Sequence, residues 1–195
     1  DRWPLDAQDV VVGLDAEWTT GPSATASVAL VQLALLNGTV HIIDMLAATP
    51  VLKEQLRDFL ADPEKIKVGF ALDGDCRRLG CDVKGCVDLQ EVCKDVLRLR
   101  GLRGHLPGLG QMAEAVLGLS VPKSKELQHC DWEQRPLEDE KLEYAALDAA
   151  LAVQAYQHLI LSVAMPPKHM IAVVRSSGKA GREAPGQGQP DFDPT

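Results

Sequence analysis

The order of strand-like and helical segments is the feature that most constrains how this 195-residue chain can fold. Three β-rich stretches come first, at Val10–Trp18, Ala26–Leu35 and Thr39–Asp44. The last two are joined by Asn37-Gly38, a dipeptide typical of a β-hairpin turn. Helical and strand-like patterns alternate after the hairpin. An antiparallel start followed by such alternation predicts an α/β domain with a mixed β-sheet flanked by helices.

The second part of the chain contributes most of the predicted helices. A long helix is expected to begin at Pro136, because proline suits the first helical position and three acidic residues follow it. This helix reaches Leu161. The other predicted elements are a strand at Lys67–Phe70 and helices at Val51–Ala61, Leu72–Leu79, Asp88 to about Leu99, and Leu109–Leu117.

The composition predicts one soluble globular domain with a flexible end. We assign residues 1–171 to the domain and residues 172–195, rich in glycine and proline, to a disordered tail or linker. No apolar run approaches the ~20 residues of a membrane span. The net charge of −8 argues against a protein that coats nucleic acid by charge alone.

The five cysteines predict an intracellular protein, cytoplasmic or nuclear, because free thiols suit a reducing compartment. The even spacing of Cys76, Cys81 and Cys86 could indicate zinc, but zinc ligands usually pair two to four residues apart, which favours free thiols. The chain starts at Asp1, which leaves room for a removed organellar targeting segment.

Two acidic residues end the first predicted strand. Asp15 and Glu17 are two residues apart, so both side chains leave the same face of the strand. Like charges side by side at the end of an apolar strand are costly unless a cation neutralises them, and hard divalent cations prefer such oxygen ligands. On this pair alone, a strand end that emerges into solvent is the favoured explanation. In the next strand, Gln32 is read as a buried amide with its hydrogen bonds satisfied.

The long predicted helix carries a second polar pair. Tyr144 and Asp148 are four residues apart, on one helix face, within an alanine-rich apolar stretch. An aspartate there either has a partner or faces solvent on an amphipathic helix, and the pattern alone leaves both open. Asp73 and Asp75 follow the strand Lys67–Phe70, where either could cap the next helix.

In combination these segments resemble the three motifs of DEDD-type 3′-5′ exonucleases. The motifs are Asp15-x-Glu17, the stretch from Val68 through Asp75, and Tyr144-x-x-x-Asp148, with Trp132-x-x-Arg135-Pro136-Leu137 as a further match. The tyrosine four residues before the last aspartate is similar to the tyrosine subclass, which includes ribonuclease D, Werner-type and mutator-type exonucleases. The resemblance runs from about Val10 to Leu161 and implies a ribonuclease H-like fold.

The resemblance also implies a mechanism and a ligand set. Asp15, Glu17, Asp75 and Asp148 would hold two divalent cations, Mg²⁺ or Mn²⁺, with Asp15 bridging both and Asp75 holding the second largely through water. Tyr144 is a poor base at neutral pH, so its hydroxyl is expected to orient the attacking water. The implied activity is hydrolysis of phosphodiester bonds from the 3′ end of a single-stranded nucleic acid, and the mutator-type similarity favours RNA over DNA.

A basic window between residues 98 and 125 is the candidate contact to the phosphate backbone. An ordinary solvated surface explains it equally well. Its basic residues are Arg98, Arg100, Arg103, Lys123 and Lys125.

Two other functions remain open from the sequence. A noncatalytic adaptor that binds nucleic acid or protein on the same fold would be expected to have lost a carboxylate, and none is lost. A metal hydrolase on an unrelated α/β fold would not need the segment from Trp132 to Leu137 or the tyrosine.

Overall fold

A computed structural model describes residues 3–20, 27–93, 107–121 and 124–164, with side chains to residue 160. Internal contacts divide the chain into the units Asp1–Ile160 and Leu161–Thr195. All the strands, and the helical residues up to Ile160, belong to the first unit. The expected boundary between residues 171 and 172 lies outside the described residues and stays a prediction.

A five-stranded mixed sheet forms the centre of the first unit, in the order β3-β2-β1-β4-β5. The central strand β1 pairs antiparallel with β2 and parallel with β4, while β2–β3 is antiparallel and β4–β5 is parallel. The predicted mixed sheet is therefore confirmed. The strands are β1 (Val11–Glu17), β2 (Leu30–Leu35), β3 (Val40–Asp44), β4 (Ile66–Gly69) and β5 (Cys86–Asp88).

Helices connect or cover these strands. Gly80, in the left-handed conformation (φ 64°), ends α2 where the sequence predicts a stop. Residues 89–93 are also helical. The other helical elements are α1 (Pro50–Ala61), α2 (Asp73–Leu79), α3 (Leu109–Met112) with its π-helical continuation (Ala113–Leu117), α4 (Lys125–Gln128) and α5 (Asp139–Ala164).

The two faces of β1 have different partners. Val12, Leu14 and Ala16 are buried in one apolar cluster with the side chains of α1. The alternate residues Gly13, Asp15 and Glu17 leave the opposite face. There the backbone of α5 comes so close that a Cβ on Gly13 would overlap the carbonyl oxygen of Ala149.

The long helix begins later than expected. It starts at Asp139, so the prediction of Pro136 as its first residue is wrong. Pro136 instead follows a cis peptide bond in a loop whose carbonyls at Trp132 and Gln134 accept hydrogen bonds from the Arg135 guanidinium. The first backbone acceptor of the helix is Glu138, whose carbonyl binds the N–H of Lys141 and of Leu142.

Two further differences concern short elements. The strand β5 has three residues, too few for a β-pattern to be visible in the sequence, and it takes Asp88 from the predicted helix. The predicted strand Ala26–Leu35 is shorter in the structure: residues 27–29 are not strand, and residue 26 lies outside the described part of the chain.

The close contact at Gly13 leads to a stability prediction. Gly13→Ala should lower the free energy of unfolding by roughly 3 kcal/mol, because the new methyl group meets a backbone carbonyl that cannot move without displacing α5. Chemical denaturation measures this change. Gly74→Ala is the matched control, since its Cβ meets nothing closer than 3.9 Å and alanine favours the helix. A Gly13→Ala protein as stable as its parent would contradict the contact.

Candidate active site

The acidic pair at the end of β1 lies within a larger group of carboxylates. Burial raises the pKa of Asp15 well above its usual value, and Asp75, Glu17 and Asp148 raise it further, in that order. Each of these groups must be close to Asp15 to act on it, because charge interactions decay with distance. Four of the predicted site residues, from three separate elements, therefore converge at one place.

Asp75 reaches this group from the first turn of α2. Asp75 is 5% exposed, and the backbone N–H groups of Asp75 and Ala16 lower the pKa of its carboxyl. Burial is the largest cause that raises the pKa of Asp75 to about 7, and Asp88 and Asp148 add to it. Asp73 instead lies on the surface and pairs with Arg77 at 2.7 Å. The structure thus separates two aspartates that spacing alone does not distinguish.

Tyr144 and Asp148 reach the group from α5. Burial raises the pKa of Tyr144 far above its ordinary value, and the charges of Asp148, Glu17 and Asp15 raise it further, in that order. Its hydroxyl therefore stays protonated at neutral pH. The Tyr144 ring packs against the fully buried Trp132, with ring centroids 6.1 Å apart.

Small residues allow α5 to lie this close to the sheet. Ala145 and Ala149 are fully buried, and Gly13 on β1 has no side chain to keep the helix away. The alanines at 145 and 149 thus lie on the contact face of the helix, whereas Leu147 in the same stretch is exposed. This contact carries Asp148 to the carboxylates of β1.

A cleft of about 610 Å³ opens beside Asp15 and Asp148. Its walls combine apolar side chains with two amides, which is the composition of a small-molecule or nucleotide-sized site. Besides the two aspartates, the lining residues are Leu14, Phe70, Ala71, Gly108, Leu109, Gly110, Gln111, Val121 and Gln128.

The segment from Trp132 to Arg135 ties the helix to the ends of two strands. Thr19 Oγ1 accepts hydrogen bonds from the Trp132 and Glu133 N–H groups at 2.9 and 3.2 Å. Arg135 donates two bonds to Asp44 at the end of β3, at 2.7 and 2.8 Å, and thereby lowers the pKa of that carboxyl. This segment therefore holds Trp132 in place behind Tyr144.

Asp88 is a residue of the site region that the sequence motifs do not include. Its carboxylate accepts hydrogen bonds from the N–H groups of Ala71 and Leu72, both at 3.0 Å, and of Gln90 at 2.9 Å. Ala71 has a positive φ of 58°, which is rare for a residue with a side chain. Asp88 thus orders the turn that leads into α2 and Asp75. In the sequence, Asp88 ends a β-rich run, which could have indicated a residue near a site. With three residues, however, β5 is too short to be recognised as a strand from the sequence.

Two buried side chains in this region have polar atoms without a hydrogen-bond partner among the described residues. They are Gln32, at both amide atoms, and Trp132 at Nε1. Gln32 is fully buried as expected, but the prediction that its hydrogen bonds are satisfied is wrong. The strand β2 places it directly opposite Asp15.

The donor chemistry of the carboxylate group fits hard divalent cations. All the candidate ligands are oxygens, and their mutual repulsion in a buried place would be relieved by positive charge. In the arrangement that the described residues have here, no group of three or more His, Cys, Asp and Glu side chains could hold a metal ion. The carboxylates thus fit a hard cation by their chemistry and not by a preformed set of ligands.

Comparison with known proteins identifies the family. The model of a 3′-5′ exonuclease family matches residues 4–164. The chain belongs to the 3′-5′ exonuclease family. It is 34% identical over 164 residues to Exonuclease 3′-5′ domain-containing protein 2 of Drosophila melanogaster, a match that covers 82% of this chain and 26% of the relative. The chain thus spans about a quarter of the length of the curated relatives it matches first.

Solved structures confirm the ribonuclease H-like fold expected for this exonuclease domain. The Aedes aegypti Nibbler EXO domain superposes with a TM-score of 0.67 at 21% identity, and the match covers 86% of each chain. Trypanosoma brucei RNase D gives a TM-score of 0.66 at 24% identity, over 88% of this chain and 64% of that one.

The predicted basic contacts of the exonuclease domain are mostly outside the described residues. This holds for Arg98, Arg100, Arg103 and Lys123. Lys125 is exposed on α4, where it lines a second cavity of about 620 Å³. Tyr144 lines the same cavity, together with three acidic side chains, Glu126, Glu140 and Glu143.

No helix in the described part of the exonuclease domain has both the length and the apolar character needed to span a membrane.

The raised pKa of Asp75 leads to a pH-dependent prediction. A carboxyl with a folded-state pKa near 7 favours folding while protonated, so its contribution is lost as the pH rises from about 4 to about 7. Asp75→Asn should therefore melt at nearly the parent temperature at pH 4 and several degrees higher at pH 8, in EDTA. Melting curves across this range measure the difference.

Asp73→Asn is the control for this titration, because Asp73 is exposed and already paired with Arg77. Its effect should be small and should not grow with pH in this way. A difference between Asp75→Asn and its parent that stays constant from pH 4 to pH 8 would show that Asp75 is not destabilised by its surroundings.

Proposed function

We propose that the chain is a metal-dependent 3′-5′ exonuclease that hydrolyses phosphodiester bonds from the 3′ end of a single-stranded nucleic acid. The observation that carries the proposal is the convergence of four carboxylates beside an open cleft, on the domain of a family named for this activity. Asp75 is buried and the other three carboxylates are half-buried, and a group whose charges raise the pKa of Asp15 and Asp75 has no structural benefit in itself. Such a group suits a site that takes up cations.

The four carboxylates divide between two proposed cation positions. Asp15, the central member of the group, would contact both ions, with Glu17 and Asp148 completing one position and Asp75 serving the other. Mg²⁺ and Mn²⁺ suit ligands of this kind. When bound, two such ions supply acidity to a water molecule and stabilise charge on the leaving oxygen.

Tyr144 is proposed to orient the attacking water rather than to deprotonate it. Its hydroxyl stays protonated because its pKa is raised, so it can donate a hydrogen bond and accept another, but it cannot act as a base at neutral pH. The packing of its ring on Trp132 limits the directions in which the hydroxyl can point. A fixed hydroxyl beside Asp148 is well suited to holding one water.

The nucleic-acid substrate is proposed from relatives and from the cleft. A structure of Trypanosoma brucei RNase D, 25% identical to this chain, is a complex with the RNA U12, and this favours RNA over DNA. The cleft beside Asp15 and Asp148 has the size of a small-ligand site, which fits one terminal nucleotide better than a long strand. Arg98, Arg100, Arg103, Lys123 and Lys125 would hold the phosphates upstream of it.

A labelled oligonucleotide tests the activity directly. With Mg²⁺ or Mn²⁺, a 5′-labelled RNA should shorten stepwise from its 3′ end, and a matched DNA should shorten more slowly. EDTA should stop both reactions. Product ladders on a denaturing gel measure the rates. An intact oligonucleotide that is still retained by the protein would indicate a noncatalytic adaptor instead.

Single substitutions test the assigned roles. Asp15→Asn and Asp148→Asn should each lower kcat by roughly a thousandfold or more, because each removes a charged ligand. Tyr144→Phe should lose less, roughly tenfold to a hundredfold, since it removes only a hydrogen bond to water. Asp73→Asn, outside the carboxylate group, is the matched control and should keep the parent rate. Full activity of Asp148→Asn would refute the site.

The salt dependence of the reaction tests the basic window. Arg100→Ala combined with Arg103→Ala should raise KM, and the slope of log KM against log salt should fall by about 0.7 for each phosphate that the variant no longer neutralises. Arg77→Ala, whose guanidinium already pairs with Asp73, serves as the control for a general reduction of positive charge. An unchanged slope in the double variant would exclude these arginines from the binding surface.

A further inference from the structure

Gln32 has an arrangement that its place in the core does not explain. Its side chain is fully buried, and neither amide atom has a hydrogen-bond partner among the described residues. Its neighbours along the same face of β2, Leu30 and Ala34, are buried and apolar. A methionine or leucine would fill this place without leaving polar atoms unpaired.

The register of the sheet places the Gln32 side chain beside Asp15. Gln32 is the direct antiparallel partner of Asp15, so both side chains leave the same face of the sheet, toward α5. Side chains in such a pair have Cβ atoms about 5 Å apart, a distance that a glutamine amide can cross. A carboxylate has about four acceptor positions, so Asp15 can accept a hydrogen bond from this amide.

We propose that Gln32 is a positioning residue, which donates its amide N–H to the Asp15 carboxylate when that carboxylate holds a cation. This inference rests on the proposed function. A hydrogen bond to an ionised carboxylate is about twice as strong as one between neutral groups, so the bond gains most when Asp15 is charged. The bond requires the Gln32 side chain to change rotamer, because its amide has no hydrogen-bond partner among the described residues.

The bond would fix which oxygen of Asp15 faces each cation. Asp15 is the carboxylate that all the other members of the group act on, so its orientation affects both cation positions. Residues that orient a ligand commonly affect metal affinity by tenfold to a hundredfold. Without cation both polar atoms of the buried amide are unpaired, and in the cation-bound protein the bond to Asp15 would pair Nε2.

Gln32→Met separates this role from simple packing. Methionine keeps the length of the side chain and removes the amide. In EDTA the variant should melt at the parent temperature or above it, because the substitution removes the unpaired amide from the core. Its dissociation constant for Mn²⁺, measured by calorimetry without substrate, should be about tenfold to a hundredfold weaker than that of the parent.

Two further variants make the outcome specific. Gln32→Asn keeps an amide but draws it back by one methylene, so it should bind Mn²⁺ as weakly as Gln32→Met. Gln90→Met removes an amide whose Nε2 donates to the Pro107 carbonyl at 2.9 Å. That control should lower the melting temperature in EDTA and leave Mn²⁺ affinity unchanged.

The result that would overturn the inference is an Mn²⁺ affinity of Gln32→Met within twofold of the parent. A Gln32→Met protein that melts well below its parent in EDTA would also overturn it, since the amide would then already be paired without cation. If the parent itself binds no Mn²⁺ under these conditions, the proposed function fails, and the role of Gln32 fails with it.

Discussion

The contact between the backbone of α5 and the strand β1 determines where almost every residue of the carboxylate group can lie. At Gly13 the helix approaches to a distance that no other residue type would permit. The buried alanines at 145 and 149 are the helix side of the same contact. A side chain at position 13 would push the backbone of α5 away from β1, and Asp148 would move away from Asp15 with it.

This contact also creates an unfavourable local environment. It buries carboxylates beside one another, so the pKa values of Asp15 and Asp75 rise, and it encloses an amide at Gln32 without a partner among the described residues. The surrounding structure compensates with bonds elsewhere: Asp88 orders the turn before α2, and Arg135 holds the end of β3. Local destabilisation at a site and compensation around it is the usual pattern in proteins that bind ions or substrates.

Features that depend on residues close in sequence are the most predictable part of this structure. The hairpin at Asn37-Gly38 and the end of α2 at Gly80 depend on local backbone chemistry, so the sequence predicts them.

Features that depend on residues far apart in the chain are less predictable. The predicted start of α5 is wrong because Arg135, which is bound to the distant Asp44, holds Pro136 in a loop although proline suits a helix start locally. From the sequence, only the family resemblance favours Asp75 over Asp73 as a site residue. In the structure Asp75 is buried, whereas Asp73 is exposed and paired with Arg77. The role of Asp88 and the lack of hydrogen bonds at Gln32 depend on contacts between residues that are far apart in the sequence. A local sequence pattern therefore cannot predict them.

The strand β1 and the helix α5 are the first and the last regular elements of the described chain, and the carboxylate group needs both. During synthesis on a ribosome, Asp15 and Glu17 emerge long before Tyr144 and Asp148 exist. A nascent chain therefore has only part of the group until almost the whole domain has been made. The same topology means that a product cut short before α5 would lack the residues that complete the site, even if its sheet could form. Assembly from both ends thus couples the completion of the site to the completion of the fold.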